Sequence, residues 1–454
     1  MTGDRVRNGD GRDSDAEAFW QSAFDALARA VPDFAGTARR LVTGFAVCID
    51  KRVDLHAMAP ALKREPTGRV LFDELMARAR AGRGGEVQID WPAGPEFLDP
   101  FVKPDETLIG GASAQAACSL ALLGAPVVMA LEDRSVEQLA LLHPAVELFG
   151  RDGAFVSAGD VRPSGAGKLA HYIVEYTVGR PLPDFTPTRS TRIIVRFAEE
   201  DIEYDAMFER YGRALGAEAG AAMLSSPNGV GAEQLPRALE FMASFALAWK
   251  QAGITAHLEL GEYPVPGALD ATLRRMTGSL TSIGLNFNEL RSIHLEPASL
   301  EAQMRAFAER QGLSRVVVHA DTWALALTRE DPERELDALA MGCLLASARA
   351  EAGRPVARPH PPSAAAFSRP PYAPISMLPE SGWHLVCCAA PYLDAPVSTL
   401  GLGDTFTAGT MLVHAAPKRA TMLANLSEFL TLSDVGINPG GRSPGDFAAN
   451  KMRS

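Results

Sequence analysis

The sharpest chemical signal in this 454-residue chain is PVSTLGLGDTFTAGT, at residues 396–410. Gly401 and Gly403, with Leu402 between them, permit a tight turn whose backbone N–H groups stay free. A helix predicted from near Thr405 points its positive end at the same spot, which suits a phosphate. Asp404 stands at that helix start, where the dipole favours a carboxylate able to accept a proton. The same four residues also fit a plain glycine turn with an aspartate cap.

Four further groups have side chains of the right type. His257 and Glu259 alternate near the end of a predicted strand and so share a face, where a carboxylate could hold a Mg2+-bound water. Asn286 and Glu289, three apart in GLNFNEL, point to one side if a helix begins there, although an Asn cap with a first-turn Glu reads the same way. His171 and Glu175 lie on one face of the strand HYIVEY. Arg189, Arg192 and Arg196 in TRSTRIIVRF enter a strand in the manner of phosphate-binding arginines.

The elements that must carry these groups alternate. From about residue 200 the spacing predicts segments at 204–215, 235–251, 256–260, 269–276, 282–285, 289–293, 300–311, 316–319, 336–351, 384–388 and 405–414. Strand–helix alternation implies a parallel sheet covered on both faces, with ligands beyond the carboxyl ends of the strands. Upstream, Leu41–Ile49 reads as one β-rich run ending in Asp50. Residues 15–30 read as a helix capped by Ser14, and residues 354–374, rich in proline, as a long loop. The first fifteen residues are polar and read as a disordered start.

Composition narrows the partners. A net charge of -11 disfavours nucleic acid and anionic membranes. Five cysteines without C-x-x-C spacing indicate buried thiols in a reducing compartment. The apolar stretch 112–131 is broken by Gly124-Ala125-Pro126 into a helix and a strand, so no membrane span is expected and the protein reads as soluble and cytoplasmic. The sequence leaves the oligomeric state open, and a monomer is compatible with it.

Taken in order, the motifs GFAVCID, AGRGGEV, IGGASAQAA, HYIVEY, STRIIV, AHLEL, SIGLNFNEL, RVVVHADTWALALT and PVSTLGLGDTFTAGT resemble the ADP-dependent glucokinase and phosphofructokinase family, a branch of the ribokinase-like kinases, from about Val42 to about His414. The resemblance implies an α/β fold: a ribokinase-like three-layer α/β/α sandwich with a mostly parallel sheet, plus a smaller discontinuous β-rich lid from roughly 51–108 and 168–200. It implies Asp404 as catalytic base beside Gly401 and Gly403, with Arg192 near the transferring phosphate. Glu259, Glu289 and Asn286 would position Mg2+. His319, Trp323, Leu402 and Gly403 would lie near the nucleotide, with ADP as co-substrate. Asp50, Glu86, Gly110, Gly111 and His171 would contact the sugar. Glu86 favours glucose, because a carboxylate repels a sugar phosphate. Phosphofructokinase is the first alternative, and an ATP-using relative or a silent sugar- or nucleotide-binding protein the next. Two departures bear on the sugar: Ala112-Ser113-Ala114 follow the double glycine in place of an amide, and Ala46 replaces an asparagine.

Overall fold

The computed structural model describes residues 10–293, 299–378 and 381–419. In chain order the strands are β1 (Arg40–Gly44), β2 (Cys48–Asp54), β3 (Gly85–Gln88), β4 (Val102–Gly110), β5 (Val127–Met129), β6 (Glu147–Phe149), β7 (Phe155–Ser157), β8 (His171–Tyr176) and β9 (Thr191–Arg196). They continue as β10 (Ala219–Ser225), β11 (Thr255–Glu259), β12 (Ser282–Asn286), β13 (Arg315–His319), β14 (Trp323–Thr328), β15 (Ile375–Leu378) and β16 (Trp383–Ala389).

Among the described residues the larger sheet has eleven strands, in the order β15-β16-β14-β13-β12-β11-β10-β1-β5-β6-β7. Its middle, from β13 through β10 and β1 to β6, is parallel, and both edges are antiparallel. Successive residues of each central strand feed opposite cores. Leu41, Val127, Ala221 and Val317 pack with the helices Pro332–Ala352 and Leu402–Ala415. Val42, Val128, Ala222 and Val316 pack against Leu235–Gln251 and Leu300–Gln311. Two helical layers on one sheet make the α/β/α sandwich, and apolar residues on both strand faces explain the near-continuous hydrophobic runs.

The smaller sheet, β3-β9-β8-β2-β4, has five strands. Its own apolar core is formed by Val53, Tyr172, Val174 and Val195 with Leu55, Leu71 and Leu75 from the helices Leu55–Leu62 and Arg69–Arg80. The strands come from 48–110 and 171–196, so the sheet begins before residue 51 and extends past residue 108.

Two expectations need correction. The run Leu41–Ile49 is not one strand: the chain leaves the large sheet after Gly44 and enters the small one at Cys48, so alternating apolar residues there serve two different cores. The first helix starts at Asp10, not after Ser14, and runs to Thr37. Residues 1–9 of the expected disordered start lie outside the described residues. No helix among the described residues is long and apolar enough to cross a membrane.

Candidate active site

The helix Leu402–Ala415 begins one residue after Gly401, which caps it in the left-handed conformation at φ 65° with no side-chain cap. The first-turn amides of a helix have no partner within it, so those of Leu402, Gly403 and Asp404 form an anion-binding end. Asp404 sits in this first turn. Burial pushes its carboxyl up to about 6; Arg349 and Arg192 pull it down while Glu259 and Asp50 push it up. A carboxylate titrating just below neutrality is ionised at pH 7 and still basic enough to take a proton. Arg192, on β9, has a buried Nε without a protein partner and acts on the same carboxyl.

β11 delivers Glu259, which is 5% exposed and held at both oxygens. His319 Nε2 lies 3.2 Å from Oε1, His257 Nε2 lies 3.1 Å from Oε2, and Thr407 Oγ1 donates to Oε2 at 2.8 Å. These contacts outweigh burial and hold Glu259 down at about 2. Behind His257 a buried chain continues. Arg315 Nη1 donates to Ser282 Oγ at 2.9 Å, Ser282 Oγ lies 2.8 Å from His257 Nδ1, and Arg315 Nε donates to Glu335 Oε2 at 2.9 Å. Burial lowers the His257 pKa, which keeps the ring neutral with its Nε2 proton on Glu259.

Glu289 opens the helix Phe287–Ser292. Its Oε2 accepts the Asn286 backbone N–H at 2.8 Å, and burial with nearby Glu259 pushes its carboxyl up to about 8. Its charged form is disfavoured there, so the carboxyl favours its protonated form unless a positive charge lies beside it. Asn286 Oδ1 accepts the backbone N–H groups of Asn288 and Glu289 at 2.9 and 3.0 Å in a capping box, so that oxygen holds the helix and thereby Glu289. His319 lies over the start of the helix Leu402–Ala415: its Nε2 contacts Glu259, a Cβ on Gly403 would meet its ring at 3.4 Å, and the ring is tilted 42° against Phe406 at 5.0 Å. Trp323 packs edge-on against Phe287 at 5.5 Å.

The remaining residues gather on the small sheet. Asp50 and His171 are register partners on β2 and β8, with His171 Nδ1 3.8 Å from Asp50 Oδ1. Burial pushes the Asp50 carboxyl up. His171 Nε2 lies 2.5 Å from Glu200 Oε1, and Cys48 Sγ donates to Asp50 Oδ1 at 3.5 Å. Gly110 follows Ile109 where a Cβ would strike the Asp50 carboxylate, and Gly111 turns with φ 83° into the helix Ala112–Leu122. Ala112 stands where the resemblance leads one to expect an amide, and Ser113, the next residue, turns inward and donates to Ala46 O at 2.5 Å. Glu86 is fully engaged: Arg196 Nη2 lies 2.5 Å from Oε2, and Asn228 Nδ2 donates to Oε1 at 3.0 Å.

Asp404 feels Asp50 and Arg192 from the small sheet and Glu259 and Arg349 from the large body, so both sheets converge on one carboxylate. Cross-links close this junction: Arg189 pairs with Asp321 at 3.1 Å, and Ser398 Oγ donates to Glu175 Oε1 at 2.9 Å. Sequence reading missed Glu200, Arg196 as a partner of Glu86, Lys168 and Arg349. Arg349 left a signal, because it continues the apolar stripe Ala338, Met341, Gly342 and Leu345 of its helix.

Comparison with known proteins bears on the family and the fold. The ADP-specific phosphofructokinase/glucokinase conserved region matches residues 39–413. A phosphofructokinase from Pyrococcus horikoshii OT3 with AMP superimposes with TM-score 0.62 at 18% identity, covering 87% of this chain and 99% of that one. An ADP-dependent kinase in complex with fructose-6-phosphate and ADPbetaS gives TM-score 0.69 at 16% identity, covering 88% and 99%. Adenosine kinase from Sinorhizobium meliloti gives 0.50 at 12% identity, covering 92% and 99%. No curated protein matches the sequence. The chain belongs to the ADP-specific phosphofructokinase/glucokinase family of phosphotransferases, which use ADP as co-substrate and a sugar hydroxyl as acceptor.

Proposed function

We propose that this enzyme transfers the β-phosphoryl group of ADP to a hydroxyl of glucose, giving glucose 6-phosphate and AMP, with Asp404 as base. The observation that carries the choice of acceptor is the charge balance around Asp50. Two nearby cations are already matched, Arg196 by Glu86 and Glu200, and Lys168 by Glu203 and Glu200. With Asp50 added, and Arg349 counted because it interacts with Asp50, the surroundings hold four carboxylates against three cations and one imidazole. An uncharged polyol meets acceptors there, whereas a sugar phosphate meets net repulsion.

The donor set of Glu259 and Glu289 fits a hard divalent cation: two carboxylates near the anion-binding end, one of them carrying an unfavourable buried charge. Mg2+ held there, with Glu259 acting through water because its oxygens already accept three contacts, would neutralise diphosphate charge. This chain's own residues do the rest. The amides of Leu402–Asp404 and the Arg192 guanidinium hold the transferring group. Asp404 orients the acceptor hydroxyl and takes its proton as the bond to phosphorus forms and the bond to the leaving AMP oxygen breaks. The small sheet, bridged through Arg189 and Glu175 to the large body, excludes water that would compete as acceptor.

Fructose 6-phosphate is the second reading. It is favoured by the likeness to a kinase structure holding that ligand and by Arg196 and Lys168, which a 6-phosphate would recruit away from their carboxylates. A coupled assay crossing ADP and ATP with glucose, fructose and their 6-phosphates separates the readings. AMP formed with ADP and glucose supports the first, AMP formed only with fructose 6-phosphate replaces it, and ADP formed from ATP removes the choice of nucleotide.

A further inference from the structure

Arg349 lies inside the helix Pro332–Ala352, 2% exposed, on a stripe otherwise filled by Ala338, Met341 and Leu345. A leucine or methionine would continue that stripe without desolvating a charge, so packing alone does not account for a guanidinium there. Its fork joins two helix starts. Nη1 donates to Thr405 Oγ1 at 2.8 Å and Nη2 to Gln115 Oε1 at 2.8 Å, while Nε has no partner. Thr405 follows Asp404 in the catalytic helix. Gln115 belongs to the first turn after Gly110-Gly111, and its Nε2 donates back to Ile109 O at 2.6 Å. The same guanidinium fills the space beside the phosphate-binding turn, since a Cβ on Gly401 would lie 2.5 Å from Nη2.

Both helix starts present positive ends to this arginine, which adds to the cost of burying it. Asp404 and Asp50 act on it favourably, and Arg192 opposes it. The charged groups acting on Asp404 are Arg349 from this helix, Arg192 from β9, Glu259 from β11, Asp50 from β2 and His319 from β13.

We infer that Arg349 is a positioning residue for phosphoryl transfer: it fastens the acceptor-binding double-glycine loop to the catalytic helix and supplies the buried positive charge that Asp404 faces. The inference rests on the reading of Asp404 as base. It assigns two separable duties to one side chain, a geometric one through the fork to Gln115 and Thr405 and an electrostatic one through the charge.

The test compares Arg349→Met, Arg349→Lys and Thr405→Val in the full chain. Methionine removes both duties. An opposite charge beside a carboxylate typically lowers its pKa by about 1–3 units, so the acid limb of kcat/KM is expected to move up by about that much. Lysine keeps the charge and loses the fork, so the limb stays while kcat falls and KM for the acceptor rises. Thr405→Val cuts one arm and lowers kcat without moving the limb. A folded Arg349→Met enzyme with an unmoved limb, or a Lys variant with the same limb shift as Met, overturns the inference.

A readout without turnover runs beside it: the pH dependence of unfolding, each protein against its Asp404→Asn partner. The folded carboxyl binds its proton more tightly than the unfolded one, so its stabilisation is complete below about pH 4 and is lost as pH rises through about 6. Arg349→Met should carry that loss to higher pH, and an unchanged curve counts against the inference. If Arg349→Met does not fold, the Lys and Val variants decide the geometric duty, and an unchanged kcat in both overturns it. A wild-type enzyme forming no AMP with any acceptor counts against the proposed function, and the unfolding curves then decide Arg349 alone.

Discussion

Acidification should switch this enzyme off through a single carboxyl. With Asp404 at about 6, about nine tenths of the molecules hold it ionised at pH 7, half at pH 6 and about one tenth at pH 5. If the ionised form alone accepts the proton, kcat/KM for the acceptor falls about tenfold from pH 7 to pH 5, with its midpoint near 6. The assay is initial-rate AMP formation across pH 5–8 at saturating ADP and Mg2+. Phosphate oxygens of the nucleotide also titrate in this range, so the control is Asp404→Asn, whose remaining turnover should lack the limb. Glu259, held down at about 2, stays ionised throughout, while Glu289, pushed up to about 8, titrates apart from the midpoint near 6. A profile with no limb near pH 6, or a limb near pH 6 that survives in Asp404→Asn, would refute the assignment of the base.

Gly401→Ala should destabilise the chain by about 1–2 kcal/mol, because the cap holds φ 65°, and should also disturb Arg349; thermal unfolding and AMP release check the two effects. Arg315→Met leaves Glu335 buried without its main cation, both groups being 1% exposed. A loss of about 3–5 kcal/mol in denaturant unfolding is expected, and a loss under about 1 kcal/mol would show that the buried chain behind Glu259 is dispensable. Glu86→Ala frees Arg196, so the kcat/KM ratio of glucose to fructose 6-phosphate should drop by about tenfold or more, the equivalent of roughly 1.4 kcal/mol. An unchanged ratio would remove Glu86 from acceptor choice.

The parts of this fold that could be read from the chain are those whose residues answer to one core. The helix Leu235–Gln251 has an apolar face turned wholly to one side of the sheet, and its bounds follow from that spacing. The strand ends bearing Glu259 and Asn286 were legible because parallel strands put their chemistry at their carboxyl ends. Legibility failed where one run serves two bodies, as at Leu41–Ile49. It failed again at β4, where Lys103, Asp105 and Glu106 hide a strand among polar residues. Glu86 shows the limit at the site itself. Its acidity is visible in the sequence, but Arg196 and Asn228, which set how that charge is spent, arrive from 110 and 142 positions away. Asn286 shows the converse, a motif residue whose side-chain oxygen is committed to holding a helix start.

The most direct trial of the whole account is the amount of AMP released when purified enzyme, ADP, Mg2+ and glucose are mixed, set beside the Asp404→Asn protein. The account predicts one AMP for each glucose 6-phosphate in the wild type and a rate about 10²–10⁴-fold lower in the variant, with ADP binding retained. Equal release by both proteins, or AMP without phosphorylated sugar, would contradict it.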